Sequence, residues 1–178
     1  MIITKENFMK EVRFSPQLDD YQVNTAAVDL RVGLELYFPV NGGTEKVKPG
    51  DTITVKPGMH FLIKTLEKVF IPSDIVGVVY PRSGANRRGL SIDMTGIVDP
   101  GYEGHLMIPV SNHTSKNIDI LVGERISQIM FHRTEIKEDV MRDSKYHNAS
   151  MEAKPDKKVE IDGLHDGSLV KAKLENGQ

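Results

Sequence analysis

The sequence predicts an all-β fold, either a barrel or a sandwich, with one or two short helices. Three observations support this prediction. Strand-like runs dominate the chain, Gly or Pro interrupts them at short intervals, and only two segments have a helical pattern. Many short strands separated by regular turns favour a barrel or sandwich over alternating strand–helix units.

Eight strands are predicted from the runs that lie between turns. Pro-Gly pairs mark two tight turns, Lys48–Asp51 and Lys56–Met59, on either side of the second strand. The predicted strands are Ala27–Leu36, Thr52–Val55, Met59–Leu66, Ile75–Tyr80, Gly96–Val98, Gly104–Asn112, Ile118–Leu121 and Arg125–Phe131.

Two short helical segments are predicted. Lys5–Glu11 follows Thr4, a residue type that caps helix N-termini. The second segment is a single turn, and Pro81 ends the strand before it. We expect Ser83 to cap this helix and Gly89 to close it in a left-handed conformation.

We expect one domain over residues 1–135, followed by a C-terminal tail over residues 136–178. A chain of 178 residues is long enough for a single well-buried domain. After about Glu135 the strand pattern is replaced by charged, weakly periodic sequence, and Ala153–Lys158 is rich in Lys and Pro. We expect the tail to be partly mobile or to contact a neighbouring subunit.

Composition and charge exclude several classes of function. The net charge of −2 argues against a nucleic-acid polymer as partner, since no basic excess neutralises its phosphates. The absence of cysteine excludes the Cys-pair site of zinc deaminases. No apolar run reaches the roughly 18 residues that suggest a membrane span, and the N-terminus lacks a secretory-signal layout. We therefore expect a cytoplasmic protein, in the host cytoplasm if its source is viral.

The segment Tyr80–Leu90 has the chemistry of a phosphate site. It is predicted to run from a strand into a short helix, and it contains Arg82, Arg87 and Arg88. Unpaired backbone N–H groups at a helix start can bind a polyanion together with these guanidinium groups.

A second segment, Gly96–Gly104, follows closely. It places Asp99 in a Pro-Gly turn that is followed by an aromatic residue, Tyr102. A cradle for phosphates, a single carboxylate and a flat ring are thus close together in sequence. This combination indicates a site for a nucleoside triphosphate.

These motifs resemble those of the trimeric dUTPase and dCTP deaminase superfamily. Four motifs appear in the family order, and the resemblance extends from about Asn24 to Phe131. It implies a distorted antiparallel β-barrel of the dUTPase-like (β-clip) type, which forms a homotrimer with active sites between subunits. The motifs are Ala26–Gly33, Pro81–Gly89, Gly96–Gly104 and Gly123–Met130.

The strand after the third motif distinguishes the two branches of the superfamily. The deaminases use a glutamate there as a proton shuttle, and the corresponding residue here is Pro109. The phosphohydrolases need no such glutamate, and their general base matches Asp99. The resemblance therefore implies a dUTP diphosphatase, which hydrolyses dUTP to dUMP and pyrophosphate with Mg²⁺ and so cleanses the nucleotide pool.

Deaminase features are also present, so alternatives stay open. The first motif has the form Val-Asp-Leu-Arg-Val-Gly, the second contains Arg87, and the tail contains Lys145 and Tyr146, where a similar pair reaches a nucleotide phosphate in deaminases. The glycine-rich fifth motif of common dUTPases is missing. The alternatives are a dCTP deaminase, a bifunctional enzyme acting on dCTP and dUTP, and a nucleotide-binding regulator without turnover.

For the phosphates, the resemblance points to the second motif. Arg82, Ser83 and Gly84 are expected to hold phosphates through guanidinium, hydroxyl and backbone N–H groups. Arg87, rather than Arg88, is expected to point inward.

The remaining assignments concern the metal, the sugar and the base. Asp29 is expected to hold Mg²⁺ through water, and Gln128 to contact phosphate. Tyr102 is expected to stack on the deoxyribose and exclude a 2′-hydroxyl. The hairpin arm Ser91–Gly96 is expected to read the base, with Asp93 available to accept from a cytosine amine.

Each assignment has a structural alternative that the sequence leaves open. The alternatives are a turn residue for Asp99 and Asp93, a core aromatic for Tyr102, an interface contact for Arg82 and Gln128, a strand bend for Asp29, and a solvated tail for Lys145 and Tyr146.

Overall fold

The computed structural model describes residues 1–93 and 96–135. Within these residues the helices are α1 (Lys5–Glu11) and α2 (Ser83–Arg87), with a 3₁₀ turn at Asp20–Gln22. The strands are β1 (Arg13–Ser15), β2 (Ala27–Phe38), β3 (Gly43–Lys46), β4 (Thr52–Val55), β5 (His60–Phe70), β6 (Ile75–Pro81), β7 (Leu90–Ile92), β8 (Gly96–Val98), β9 (Glu103–Asn112), β10 (Ile118–Leu121) and β11 (Arg125–Arg133).

Nine of these strands form one antiparallel sheet, and β4 pairs with β10 in a second sheet. The main sheet has the order β7-β9-β5-β2-β11-β6-β8, while β1 pairs with β5 and β3 pairs with β2 away from this path. All the described strand pairs are antiparallel. The predicted all-β fold is confirmed.

The main sheet curls because a short stretch of chain joins its two ends. β7 ends at Ile92 and β8 begins at Gly96. Four residue steps span at most about 15 Å, whereas seven flat strands would place the outer two about 29 Å apart. The two ends must therefore approach each other, which gives the sheet its barrel-like curvature.

The described residues of the predicted arm Ser91–Gly96 pair with two different strands, and the role of the arm in reading the base stays a prediction. Its beginning belongs to β7, which pairs with β9, and its last residue begins β8, which pairs with β6. Turn residues in a sequence show that two strands flank a bend, but not which strands become their partners.

In β5 and β9 alternate side chains fill the core, whereas in β2 four successive residues, Ala27–Leu30, are buried. In β5 and β9, Phe61, Ile63 and Ile108 are fully buried, while their sequence neighbours face outward. Helix α1 covers one end of this core, since its buried Phe8 ring lies 5.5 Å from the Phe131 ring of β11, measured between centroids. The two-residue period of β5 and β9 thus selects their core residues.

The bounds of α2 differ from the prediction at its start and agree at its end. Ser83 is the first helical residue rather than the cap, because the chain keeps an extended conformation through Arg82. No side chain among the described residues caps this helix. Gly89 has a φ of +93°, as predicted, and a Cβ there would lie only 2.4 Å from a methyl group of Thr114.

All eight predicted strands are present, and β1, β3 and β7 are strands that the sequence did not predict. β1 and β7 have three residues each, too few to show an alternating pattern. β3 is Gly-Thr-Glu-Lys, a polar segment on an edge position beside β2. Pairing with a longer neighbour, rather than local propensity, makes these segments strands.

Two predictions lie outside the described residues. These are the tail over residues 136–178 and its site residues Lys145 and Tyr146, which stay predictions. Across residues 1–93 and 96–135, neither helix has the length or the apolar character needed to cross a bilayer.

Candidate active site

A cleft of about 340 Å³ opens between α2, the turn before β11 and the 3₁₀ turn. We call it the arginine cleft because Arg82, Arg88 and Arg125 line it. The other lining residues are Tyr21, Gly84, Ala85, Gly123 and Glu124.

Asp29 lies beneath the arginine cleft and holds two of its arginines. The residue is 1% exposed. Its Oδ2 atom lies 3.2 Å from Arg82 Nε and accepts a hydrogen bond of 3.1 Å from Arg125 Nη1. Strand register places Asp29 of β2 opposite Gln128 of β11, so the carboxylate sits at the centre of the sheet.

Arg125 is also fixed from the outer side. Its Nη1 donates to the backbone oxygen of Tyr21 at 2.7 Å, and its guanidinium lies 5.1 Å from the centroid of the Tyr21 ring. Cation–π contact of this kind adds to the hydrogen bonds in orienting the guanidinium plane.

The 3₁₀ turn that carries Tyr21 is itself anchored by a buried polar network. Glu67 is fully buried, and its carboxylate accepts from Arg31 Nε at 2.7 Å, from the Arg31 backbone N–H at 2.8 Å and from Gln22 Nε2 at 2.9 Å. Gln22 Nε2 also donates to the backbone oxygen of Asp29. Because every partner is buried or partly buried, this network holds the cleft wall rigidly.

The second motif contributes unequally to the cleft. Arg88, rather than the predicted Arg87, lines it, and Arg88 pairs with Glu124. Arg87 is exposed. Ser83 and Gly84 are exposed as well, and a Cβ at Gly84 would meet nothing within 4 Å. The α2 backbone is therefore accessible to a ligand.

Gln128 lies close to the cleft on β11. It pairs with Tyr80 of β6 on one side and with Asp29 on the other, and its Nε2 donates to the backbone oxygen of Pro81 at 3.4 Å. The predicted phosphate contacts Arg82 and Gln128 are thus brought together by strand register.

Asp99 has a very different environment. It is exposed, and its carboxylate has no hydrogen-bond or ion-pair partner among residues 1–93 and 96–135. Its turn is shaped by the backbone: the N–H of Tyr102 donates to the Asp99 carbonyl at 3.1 Å, and Gly101 adopts a φ of +77°. The carboxylate is free to bind a water molecule.

Tyr102 folds back onto its own strand. Its hydroxyl donates to the backbone oxygen of His105 at 2.7 Å, and a Cβ at Gly104 would lie 2.7 Å from that hydroxyl oxygen. Burial raises the pKa of Tyr102 to about 12. The ring packs against the edge of the core, as the structural alternative of a core aromatic expects, and its stacking on the deoxyribose stays a prediction.

Asp99 and Arg82 lie at opposite ends of β6. Val98 pairs with Gly77, so Asp99 is level with the start of β6, whereas Arg82 follows its last residue. Six residue steps separate these levels, or about 20 Å along the strand. A single chain therefore does not bring the candidate base and the arginine cleft together.

Asp93 belongs to a polar cluster that the sequence did not reveal. Its two carboxylate oxygens accept from Ser91 Oγ at 2.7 Å and from Ser111 Oγ at 3.3 Å. Ser111 Oγ also forms a 2.8 Å hydrogen bond with His60 Nδ1, in which the imidazole donates when the Ser111 proton is given to Asp93. The register of β7, β9 and β5 aligns Ser91, Ser111 and His60 side by side.

This cluster adjoins Pro109, the residue that the motif resemblance places at the deaminase glutamate position. The backbone N–H of Asp93 donates to the Pro109 oxygen at 3.1 Å. Pro109 and Ser111 are two residues apart on β9 and therefore share one face of the sheet. Gly96, the predicted end of the arm, begins β8 with a φ of +87°.

The donor set does not suit the predicted magnesium site. Asp29 is almost fully buried and its charge is balanced by two guanidinium groups, whereas Mg²⁺ keeps several waters and needs room for them. Within the described residues, no group of three or more His, Asp or Glu side chains is arranged to hold a metal ion.

Comparison with known proteins places this geometry in a family. Residues 3–134 match the family model described as dCTP deaminase-like. This chain belongs to the dCTP deaminase-like family. The resemblance to the dUTPase and dCTP deaminase superfamily is confirmed.

Curated relatives carry the names of deaminases. A dCTP deaminase of Thermococcus kodakarensis is 35% identical over 135 residues, covering 76% of this chain and 84% of that protein. A dCTP deaminase of Halorubrum lacusprofundi is 36% identical over 141 residues, with 69% and 68% covered. A dUMP-forming dCTP deaminase of Sulfurihydrogenibium is 31% identical over 143 residues, with 72% and 79% covered.

Solved structures from both branches share the fold. A dCTP deaminase of Agrobacterium tumefaciens has a TM-score of 0.61 at 22% identity over 73% of this chain, which spans 48% of that protein. A dUTPase of phage phi11 of S. aureus, described with a structural Mg(II) ion, has a TM-score of 0.51 at 17% identity, with 74% and 96% covered. The dUTPase-like fold is thereby confirmed.

Sequence reasoning missed Arg125, Tyr21, His60 and Ser111. Arg125 stands inside the fourth motif, next to Glu124, so its motif position was a usable signal. Tyr21, His60 and Ser111 gain their places from strand register and from the 3₁₀ turn, which single-sequence patterns do not specify.

Proposed function

We propose that this protein hydrolyses dUTP to dUMP and pyrophosphate, with Asp99 as general base. Its membership of the dCTP deaminase-like family supports a pyrimidine deoxynucleoside triphosphate as the substrate class. The observation that carries the choice of reaction is Pro109 at the position of the deaminase glutamate. A proline side chain has no group that can accept or release a proton, whereas the Asp99 carboxylate is exposed and unpaired among the described residues.

In the proposed mechanism a water molecule attacks the α-phosphate in line with the leaving group. The Asp99 carboxylate takes one proton as the water oxygen forms a bond to the α-phosphorus. The bond from that phosphorus to the bridging oxygen breaks, and pyrophosphate leaves. Positioned general bases of this kind contribute roughly 10²- to 10⁴-fold to rate.

The arginine cleft provides the positive charge for this reaction. Arg82 lines the cleft, Gln128 Nε2 donates to the backbone oxygen of the adjacent Pro81, and the exposed Gly84 offers a backbone N–H group. Guanidinium groups bind phosphate oxygens with paired hydrogen bonds, and donors held in place stabilise charge that develops in the transition state.

We also propose that the active site forms between subunits of a homotrimer. The separation of about 20 Å between Asp99 and Arg82 prevents one chain from placing both on one phosphate chain. A neighbouring subunit can supply the arginine cleft to Asp99. The predicted trimer supplies such a neighbour at each site by symmetry.

Deamination of dCTP is a second candidate, favoured by the names of the curated relatives. Water would add to C4 of cytosine and ammonia would leave, which requires a group that moves protons. The described titratable groups beside Pro109 are Asp93 and His60, joined through Ser111. This cluster would have to replace the missing glutamate.

A product assay distinguishes these functions. The protein is incubated with dUTP and with dCTP in Mg²⁺, and pyrophosphate and ammonia are measured separately. Pyrophosphate from dUTP without ammonia from dCTP is the expected result. Ammonia from dCTP would replace this proposal by deamination or, with pyrophosphate as well, by a bifunctional reaction. Nucleotide binding without either product would indicate a regulator.

A further inference from the structure

We propose that Asp29 positions arginines instead of holding a metal, and that Arg125 is a second phosphate-binding guanidinium beside Arg82. The inference rests on the proposed function, because it concerns the phosphate end of the same site. It departs from the role that the motif resemblance assigns to Asp29. The carrying observation is the contact of one buried carboxylate with two arginines that line one cleft.

The charges around Asp29 favour an anion, not a cation. The carboxylate carries one negative charge and its two partners carry two positive charges, so the group keeps an excess of positive charge. A buried carboxylate is stable only when paired in this way. A hydrated Mg²⁺ ion at Asp29 would face both guanidinium groups and would have to displace them.

Arg125 retains N–H donors that no described residue accepts. Of its five N–H groups, the two on Nη1 are taken by the Tyr21 backbone oxygen and by Asp29. The groups on Nε and Nη2 have no acceptor among residues 1–93 and 96–135. Since Arg125 lines the cleft, these donors are available to phosphate oxygens there.

The cleft wall keeps this guanidinium in place before any ligand arrives. Tyr21 contacts it through its ring and its backbone oxygen, and the fully buried Gln22 and Glu67 anchor the turn behind Tyr21. Holding an arginine in its binding orientation reduces the entropy lost when a ligand binds. This arrangement is expected if Asp29 positions the guanidinium and Arg125 binds phosphate.

Calorimetric binding of inorganic tripolyphosphate tests the proposal, with each protein measured in Mg²⁺ and in EDTA. The variants are Arg125→Gln and Asp29→Asn. Arg133→Gln and Asp74→Asn are the matched controls, since this pair forms a 2.7 Å ion pair at the opposite end of β11. Thermal unfolding establishes that each variant is folded.

For Arg125→Gln we expect affinity to fall about 10- to 100-fold, with and without Mg²⁺, as for the loss of charged hydrogen bonds. For Asp29→Asn, the ratio of affinities in Mg²⁺ and in EDTA should equal that of the parent, whichever direction the affinity itself moves. The two control variants should bind like the parent protein.

Two results would overturn the proposal. The first is a Mg²⁺-to-EDTA ratio that collapses to one in Asp29→Asn, since Asp29 would then hold the metal. The second is a tripolyphosphate affinity of Arg125→Gln equal to that of the control Arg133→Gln. This second result decides the matter if Asp29→Asn does not fold. Binding needs no turnover, so the two proposals can fail separately. If Arg125 binds tripolyphosphate but dUTP releases no pyrophosphate, the proposed function is contradicted and the role of Arg125 is not.

Discussion

The arginine cleft and the turn that carries Asp99 contrast sharply within one chain. In the cleft, Asp29 is buried and paired with two arginines, and the adjoining Glu67 accepts hydrogen bonds from Arg31 and Gln22. Asp99 is exposed, and its carboxylate has no partner in the described part of the chain. The charges of the arginine cleft are thus paired within the described chain, whereas the Asp99 carboxylate faces solvent.

In the proposed homotrimer, this difference would divide the active site between two subunits. A buried charge is costly unless its partners are already in place, so the cleft must be completed during folding of the single chain. An exposed carboxylate has no such requirement, because water solvates its charge. Its desolvation, which increases its reactivity toward a bound water, can follow when a second subunit and a substrate cover it.

The largest expected effect comes from Asp99→Asn. Loss of the proposed base should lower the rate of pyrophosphate release from dUTP about 10³-fold, because an amide cannot take a proton from water. Steady-state release of pyrophosphate in Mg²⁺ measures this.

Stability provides the control for that variant. Asp99 is exposed and has no partner among the described residues. The free energy of unfolding of the Asp99→Asn variant should therefore stay within about 0.5 kcal/mol of the parent value. Turnover of Asp99→Asn at the parent rate would show that another group activates the water.

A change in the buried network around Glu67 should lower the stability of the protein, whereas Asp99→Asn should lower its activity. In Glu67→Gln the amide would place N–H groups against the donors of Arg31 or Gln22, and the partly buried Arg31 would keep only the exposed Asp19 as a counter-charge. We expect a loss of about 3–5 kcal/mol in the free energy of unfolding. Urea denaturation at equal protein concentration measures it.

A matched variant sharpens this comparison. Glu35→Gln removes one partner of a partly exposed pair with Lys64, and it should cost less than about 1 kcal/mol. Equal losses in the two variants would mean that burial of Glu67 does not add to the energy of its contacts.

The smallest expected effect tests the division of the site between subunits. Asp99→Asn and Arg82→Gln should each be inactive alone, while trimers refolded from an equal mixture should recover about a quarter of parent activity. A quarter is expected because each shared site draws an intact Asp99 from one chain and an intact Arg82 from another. Mixtures as inactive as the separate variants would place both residues in one chain's site.

Much of the fold was predictable because strand patterns and turns are local. The tight turns beside β4 have glycines at positive φ, Gly50 at +83° and Gly58 at +73°, as Pro-Gly pairs suggest. β1, β3 and β7 were missed because they become strands through long-range pairing. The cap of α2 was also wrong, since propensity favours Ser83 whereas the end of β6 delays the helix by one residue.

The candidate site was predictable only in part for a related reason. Residues that stand in motifs, such as Arg82, Asp99 and Gln128, were found from their order along the chain. The pairing of Asp29 with Arg125 and the contact of Ser111 with His60 join residues 96 and 51 positions apart. No spacing rule predicts contacts at such separations.

The sequence by itself determined the all-β class, the position of the Asp99 turn and the absence of a proton-carrying side chain at Pro109. Each depends on residue type or on neighbours in the chain. Only the tertiary structure decided that Asp29 is enclosed by guanidinium groups and that Asp99 and Arg82 lie at opposite ends of β6. The physical reason is that burial and register, set by which strands pair, control the charge and the reach of a side chain.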